Sequence, residues 1–156
     1  MAKKVLFLED EADHRRKTVG WLGENGYDVE AFRRIDQAME RFEEDSESIA
    51  CVVTDLNMSD EGLGDYRSES EGGMLSGWVW LRRFVHEKRP DMPAVVYSGF
   101  ISFLEEHLCE NDEPPLSKYD NIITVEKGVD ENNGFYGLLR ALERLAQRGF
   151  PSSDRQ

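Results

Sequence analysis

Five short apolar runs, separated by amphipathic segments, restrict this chain more than any other feature of its sequence. The runs are Lys4 to Leu8, Asp28 to Phe32, Ala50 to Thr54, Ala94 to Tyr97 and Asn121 to Val125. Each is rich in Val, Ile or Phe and too short for a helix, so each reads as a buried strand. Between them, Ile35, Ala38, Met39 and Phe42 recur at helical spacing and define one apolar face. The stripe Phe135, Leu138, Leu139, Leu142 and Leu145 does the same in the last helix. Trp78, Leu81 and Val85 mark a third helix that should stop before Pro90. A first helix over roughly 12–25 is weakened by Gly20 and Gly23. Strands and helices in alternation imply α/β architecture, with helices on both faces of one doubly wound, five-stranded parallel sheet.

The length of 156 residues suits one domain with a substantial core. Residues 1–148 are expected to form it, with 149–156 as a short polar tail. An apolar content of 39% argues against disorder. The net charge of −13 repels phosphate backbones and anionic lipid, so nucleic acid and membranes are not expected partners. No apolar run approaches the length of a membrane span, and no signal peptide is visible. Cys51 and Cys109 form no metal-ligand spacing, and a reduced, cytoplasmic chain is expected.

Two segments depart from the alternation. Residues 59–73, SDEGLGDYRSESEGG, hold four Gly, three Ser and five acidic residues against one Arg, a net charge of −4. Such a composition reads first as a mobile, solvated insertion and second as a lid or partner-binding loop. Residues 109–120 contain Pro114-Pro115 and read as a loop before the fifth strand. Trp78 and Trp80 lie two residues apart on a helix, so only one of them is expected to face the core.

In a doubly wound sheet, chemistry gathers beyond the carboxyl ends of the strands. Glu9, Asp10 and Glu11 follow the first strand, Asp55 the third, Ser98 ends the fourth, and Lys127 follows the fifth. These residues lie in separate βα units and converge on one edge. Three converging carboxylates need a cation, and Mg²⁺ accepts a few carboxylates together with water and phosphate oxygens. Lys127 supplies a point charge for a phosphoryl oxygen, Ser98 a short hydroxyl, and Asp55 a nucleophile. Glu11 reads as a first-turn residue favoured by the helix dipole. His14, His86 and His107 share no spacing and read as exposed or partly packed residues.

The motifs VLFLEDE at 5–11, VVTDLNM at 52–58, VVYSG at 95–99 and VEKG at 125–128 resemble those of response-regulator receiver domains, the phosphoacceptor modules of two-component signalling. The resemblance spans residues 3 to about 147. It implies a flavodoxin-like sheet of order 2-1-3-4-5. It also implies that Asp55 accepts a phosphoryl group from a histidine kinase or phosphotransfer protein. Glu9, Asp10, Asp55 and the backbone carbonyl of Asn57 would hold Mg²⁺, and Ser98 and Lys127 would contact the phosphoryl group. Output would pass by protein contact with a downstream partner, and a homodimer through the fourth and fifth helices is left open. The sequence departs from the family pattern in three places: Gly128 replaces the proline after the lysine, Thr124 the usual aromatic, and the 59–73 insertion a tight loop. A receiver-like binding module that uses no phosphate is the alternative reading. A metal-dependent aspartyl phosphatase is the third. It fits less well, because such enzymes place the nucleophile after the first strand with a second acid two positions on.

Overall fold

The computed structural model describes residues 2–128 and 134–150. Five strands, β1 (Lys3–Leu8), β2 (Tyr27–Phe32), β3 (Cys51–Thr54), β4 (Ala94–Ser98) and β5 (Ile122–Glu126), form one sheet of order β2-β1-β3-β4-β5. Every pairing is parallel. Alternation along each strand divides the core in two. Val5, Phe7, Val53, Val95 and Tyr97 face one layer, with α1 (Ala12–Glu24) and α6 (Phe135–Gln147) over them. Leu6, Leu8, Val52 and Val96 face the other, packed against α2 (Ile35–Glu44), α3 (Ser76–Trp80) and α5 (Ile101–Glu110). The expected apolar stripe of α6 is core: Phe135, Leu138, Leu142 and Leu145 are buried. Helix α1 runs through both glycines and is preceded by Glu11. That side chain caps the helix, accepting from the Asp13 and His14 amides, instead of lying within the first turn.

From α3 the chain continues through one π-helical turn, Leu81–Val85, into α4 (His86–Lys88) before Pro90. Both tryptophans here are buried, contrary to the expectation that one would be free. Trp80 lies in the core. Trp78 packs edge-on against Tyr119 at 5.9 Å, and the Arg82 guanidinium lies 4.7 Å from the Tyr119 ring. The helix is covered on two sides, so two residues on different faces are both sheltered from water. The segment expected to be loop from 109 contributes Cys109 and Glu110 to α5 and a single 3₁₀ turn, Leu116–Lys118. Cys51 is buried and Cys109 exposed, and both are free thiols. The Lys127–Gly128 peptide bond is trans, as are all others among the described residues. Of the tail expected at 149–156, residues 151–156 lie outside the described residues.

The acidic insertion has a solvated face, as expected, but it is anchored in the fold by defined turns. Glu61–Ser70 forms 3₁₀ turns, with Leu63 and Ser70 buried. Asp60 accepts from Arg67 at 2.8 Å and from the Ser70 hydroxyl at 3.0 Å. The Arg83 guanidinium donates to Glu69 and lies over the Tyr66 ring, which meets Phe84 edge-on. Gly62 passes so close to α2 that a Cβ there would stand 2.8 Å from the Asp36 nitrogen. The apolar anchor is Leu63, so Leu63→Ala is expected to loosen the segment while the sheet persists. Limited proteolysis should cut the variant between 59 and 73 several-fold faster than the parent. Equal cleavage would mean that Leu63 does not anchor it.

Candidate functional site

Parallel pairing brings the ends of β1 and β3 side by side, with Leu8 opposite Thr54. The next residues, Glu9 and Asp55, therefore leave the sheet together at its carboxyl edge. Both backbones are held there: the Glu9 amide donates to the Phe32 carbonyl at 2.9 Å and the Asp55 amide to that of Leu8 at 3.1 Å. Pairing of β4 with β5 adds Lys127, whose amide donates to the Ser98 carbonyl at 3.0 Å.

Lys127 joins the site through its side chain. Its ammonium donates to Glu9 Oε1 at 2.6 Å and to Asp55 Oδ2 at 2.8 Å. Glu9 is only 1% exposed and Asp55 8%. Burial raises the Glu9 carboxyl to about 7, the Asp55 charge adds to the rise, and Lys127 opposes it. Burial would lower the lysine, but the two carboxylates outweigh it and hold its ammonium above the ordinary value. The second Asp55 oxygen, Oδ1, accepts from the Leu56 amide at 2.6 Å. Asp55 is thus clamped through both oxygens.

Asp10 is exposed beside this pair, and burial followed by the Asp55 charge raises its carboxyl. It also lines a cleft of about 290 Å³ with Arg34, Asp36, Ser59 and Glu61, so the start of the insertion forms one flank of the site. Asn57 is exposed two residues beyond Asp55. Ser98 is fully buried, and its hydroxyl accepts from the Phe100 amide at 3.1 Å. Glu9, Asp55 and Lys127 are in direct contact. Asp10 and Asn57 occupy the same sheet edge, and Ser98 meets the trio through its carbonyl, which accepts from the Lys127 amide.

Three participants escaped the sequence reading. His14, the third residue of α1, lies with Nδ1 3.6 Å from Glu9 Oε1. Burial and the Lys127 charge lower its pKa, and neither ring nitrogen has a hydrogen-bond partner among the described residues. Tyr97 packs its ring 5.7 Å from His14 and 5.6 Å from the Lys127 ammonium. Gly77 brings the first turn of α3 against the Asp55 carbonyl, and its amide donates to the Leu56 carbonyl at 3.0 Å. A glycine just inside an apolar helix that follows Asp55 and its strand was the available signal for the last. His14 and Tyr97 have no signal in one dimension, because their contacts cross from α1 to β4 and β5.

Among the described residues, no three His, Cys, Asp or Glu side chains are grouped closely enough to cage a metal unaided. The donor chemistry nevertheless suits a hard cation, since two buried carboxylates already converge on one positive charge.

No protein-family model matches the sequence, and no curated protein matches it. Solved structures do. A response regulator receiver protein from Sinorhizobium medicae is similar with a TM-score of 0.66 at 23% identity, covering 94% of this chain and 95% of its own. A CheY-like receiver domain protein from Methanospirillum hungatei gives 0.62 at 18% identity, covering 96% and 100%. The response regulator TrrA from Thermotoga maritima, solved in complex with Mg²⁺ and BeF, gives 0.62 at 18% identity, covering 92% and 98%. The chain has the flavodoxin-like fold of response-regulator receiver domains, as its motifs led us to expect. No helix of the described residues is long and apolar enough to cross a membrane.

Proposed function

We propose that this protein is a phosphoacceptor of two-component signalling, which takes a phosphoryl group on Asp55 from a phosphohistidine donor. The observation that carries this reading is the shared ammonium: buried Glu9 and Asp55, on adjacent strand ends, both hold Lys127. A carboxylate held this way is placed as a nucleophile with its counter-charge already present. In the transfer an Asp55 oxygen forms the O–P bond while the donor N–P bond breaks, its electron pair returning to the imidazole nitrogen. Leu56 holds Oδ1 through its amide, and Lys127 follows the charge as it moves onto the phosphoryl oxygens.

Glu9, Asp10, Asp55 and the carbonyl of Asn57 are the ligands we assign to Mg²⁺, with Ser98 and Lys127 as phosphoryl contacts. When bound, Mg²⁺ offsets the charge of the carboxylates and of the incoming phosphoryl group. The Mg²⁺–BeF complex of TrrA supports the same assignment by analogy of fold. Donor and output partners are proteins in this reading, a histidine kinase or phosphotransfer protein on one side and a downstream effector on the other. The domain catalyses no reaction beyond its own phosphorylation and dephosphorylation, and we place it in the cytoplasm.

Incubation with acetyl phosphate or phosphoramidate and Mg²⁺ should add one hydroxylamine-labile phosphoryl group, read by intact mass. Asp55→Asn should abolish the adduct, and chelation of Mg²⁺ should suppress it. A parent protein that takes no label from small donors or kinases would refute the reading. Catalytic turnover of a phosphomonoester would favour a phosphatase instead.

A further inference from the structure

The geometry points to Tyr97 as a positioning residue for Lys127, acting through the electron-rich face of its ring. The inference rests on the phosphoacceptor reading and names a part of the site that the reading does not require. Tyr97 is the penultimate residue of β4, directly before Ser98, and its side chain lies in the layer of Val95, Phe135 and Leu138. It is fully buried. The strand's alternation sets the ring under the carboxyl edge, where Lys127 Nζ stands 5.6 Å from its centroid. That distance is within reach of a cation–π attraction, which strengthens where water is excluded. The ring also meets His14 at 5.7 Å with the planes inclined at 56°.

Two carboxylates already hold the ammonium, and the ring adds something they cannot. A hydrogen bond to a carboxylate oxygen is directional and is strongest at one place. Asp55 loses that role as its oxygen becomes bonded to phosphorus, and the negative charge moves outward onto the phosphoryl oxygens. Lys127 must then leave Asp55 Oδ2 without passing into water. A ring face attracts the charge over a broad area, so the ammonium can shift towards the phosphoryl group while still held from beneath. An aliphatic residue of similar bulk would fill the space but offer no such attraction.

The test separates volume from ring electronics. Tyr97→Phe keeps the ring, Tyr97→Leu removes it, and mono-, di- and trifluorinated phenylalanines at position 97 withdraw electron density at nearly constant size. The readouts are the labelling rate with phosphoramidate and Mg²⁺ and the thermal midpoint of each variant. Tyr97→Phe should label within about 2-fold of the parent rate, and each added fluorine should lower the rate. The most fluorinated ring and Tyr97→Leu should label roughly 3- to 10-fold more slowly. Midpoints of the fluorinated series should stay together, which excludes unfolding as the cause. A flat rate across that series, in a parent that does label, overturns the role of Tyr97 alone. A parent that takes no label overturns the phosphoacceptor reading and the positioning role with it.

Discussion

Gly77→Ala is expected to cost more than about 3 kcal/mol and to lower the melting midpoint by roughly 10 °C. A Cβ at this position would stand 1.7 Å from the Asp55 carbonyl oxygen and 2.8 Å from Thr54 Oγ1. Neither neighbour can yield cheaply. The carbonyl belongs to the backbone and already accepts the Thr54 hydroxyl at 2.8 Å. Moving α3 away instead would break the bond from the Gly77 amide to Leu56 and part Trp78 and Val79 from the core. Either relaxation displaces Asp55, so labelling should fall with stability. Gly20→Ala is the control. A Cβ there meets nothing within 4 Å, and alanine in a helix should stabilise by about 0.5–1 kcal/mol. A Gly77→Ala midpoint within about 2 °C of the parent would show that α3 does not bear on Asp55 as described.

The second large effect is on pH dependence, through Glu9. Its carboxyl is raised to about 7 from an ordinary 4.5 by burial and by the Asp55 charge. A raised carboxyl means that the folded state keeps a proton which the unfolded chain releases. The contribution of Glu9 is therefore fully present below about 4.5 and lost as pH rises through about 7. Across that window the loss amounts to about 3 kcal/mol. Asp10, also raised, acts in the same direction, whereas the lowered His14 acts in the opposite one. Comparison with Glu9→Gln isolates Glu9. In metal-free buffer, denaturant titrations should show the parent losing stability relative to this variant between about pH 5 and pH 8. Parallel profiles would show that Glu9 stays ionised throughout. Lys127→Met should exaggerate the effect, because it leaves two buried carboxylates facing each other without a cation.

Much of the site was legible because parallel α/β topology turns linear order into spatial order. Once Val5-Leu6-Phe7-Leu8, Val52-Val53 and Val95-Val96 are strands, the residues after them must share an edge. Glu9, Asp55 and Lys127 meet there as their motifs suggested. The insertion was not legible. Glycine, serine and carboxylates suggest a solvated loop, yet Leu63 and Ser70 are buried, and Asp60 and Glu69 are answered by Arg67 and Arg83. Most of these partners are local, but the apolar seat of Leu63 is not: it is part of the core shared with α2 and α3. The same cover explains Trp78. Helical spacing assumes one buried face, and here Tyr119 shelters a second.

The opening pattern of five apolar runs was thus sufficient for the sheet, its two packed layers and the convergence of the carboxylates, because each follows from local hydrophobic periodicity and the handedness of crossovers. Only the tertiary structure decided that Lys127 bridges Glu9 and Asp55, that Tyr97 lies beneath it, and that Gly77 presses on the Asp55 carbonyl. Those contacts join residues distant along the chain, at separations where periodicity carries no information and only packed distance sets the energy.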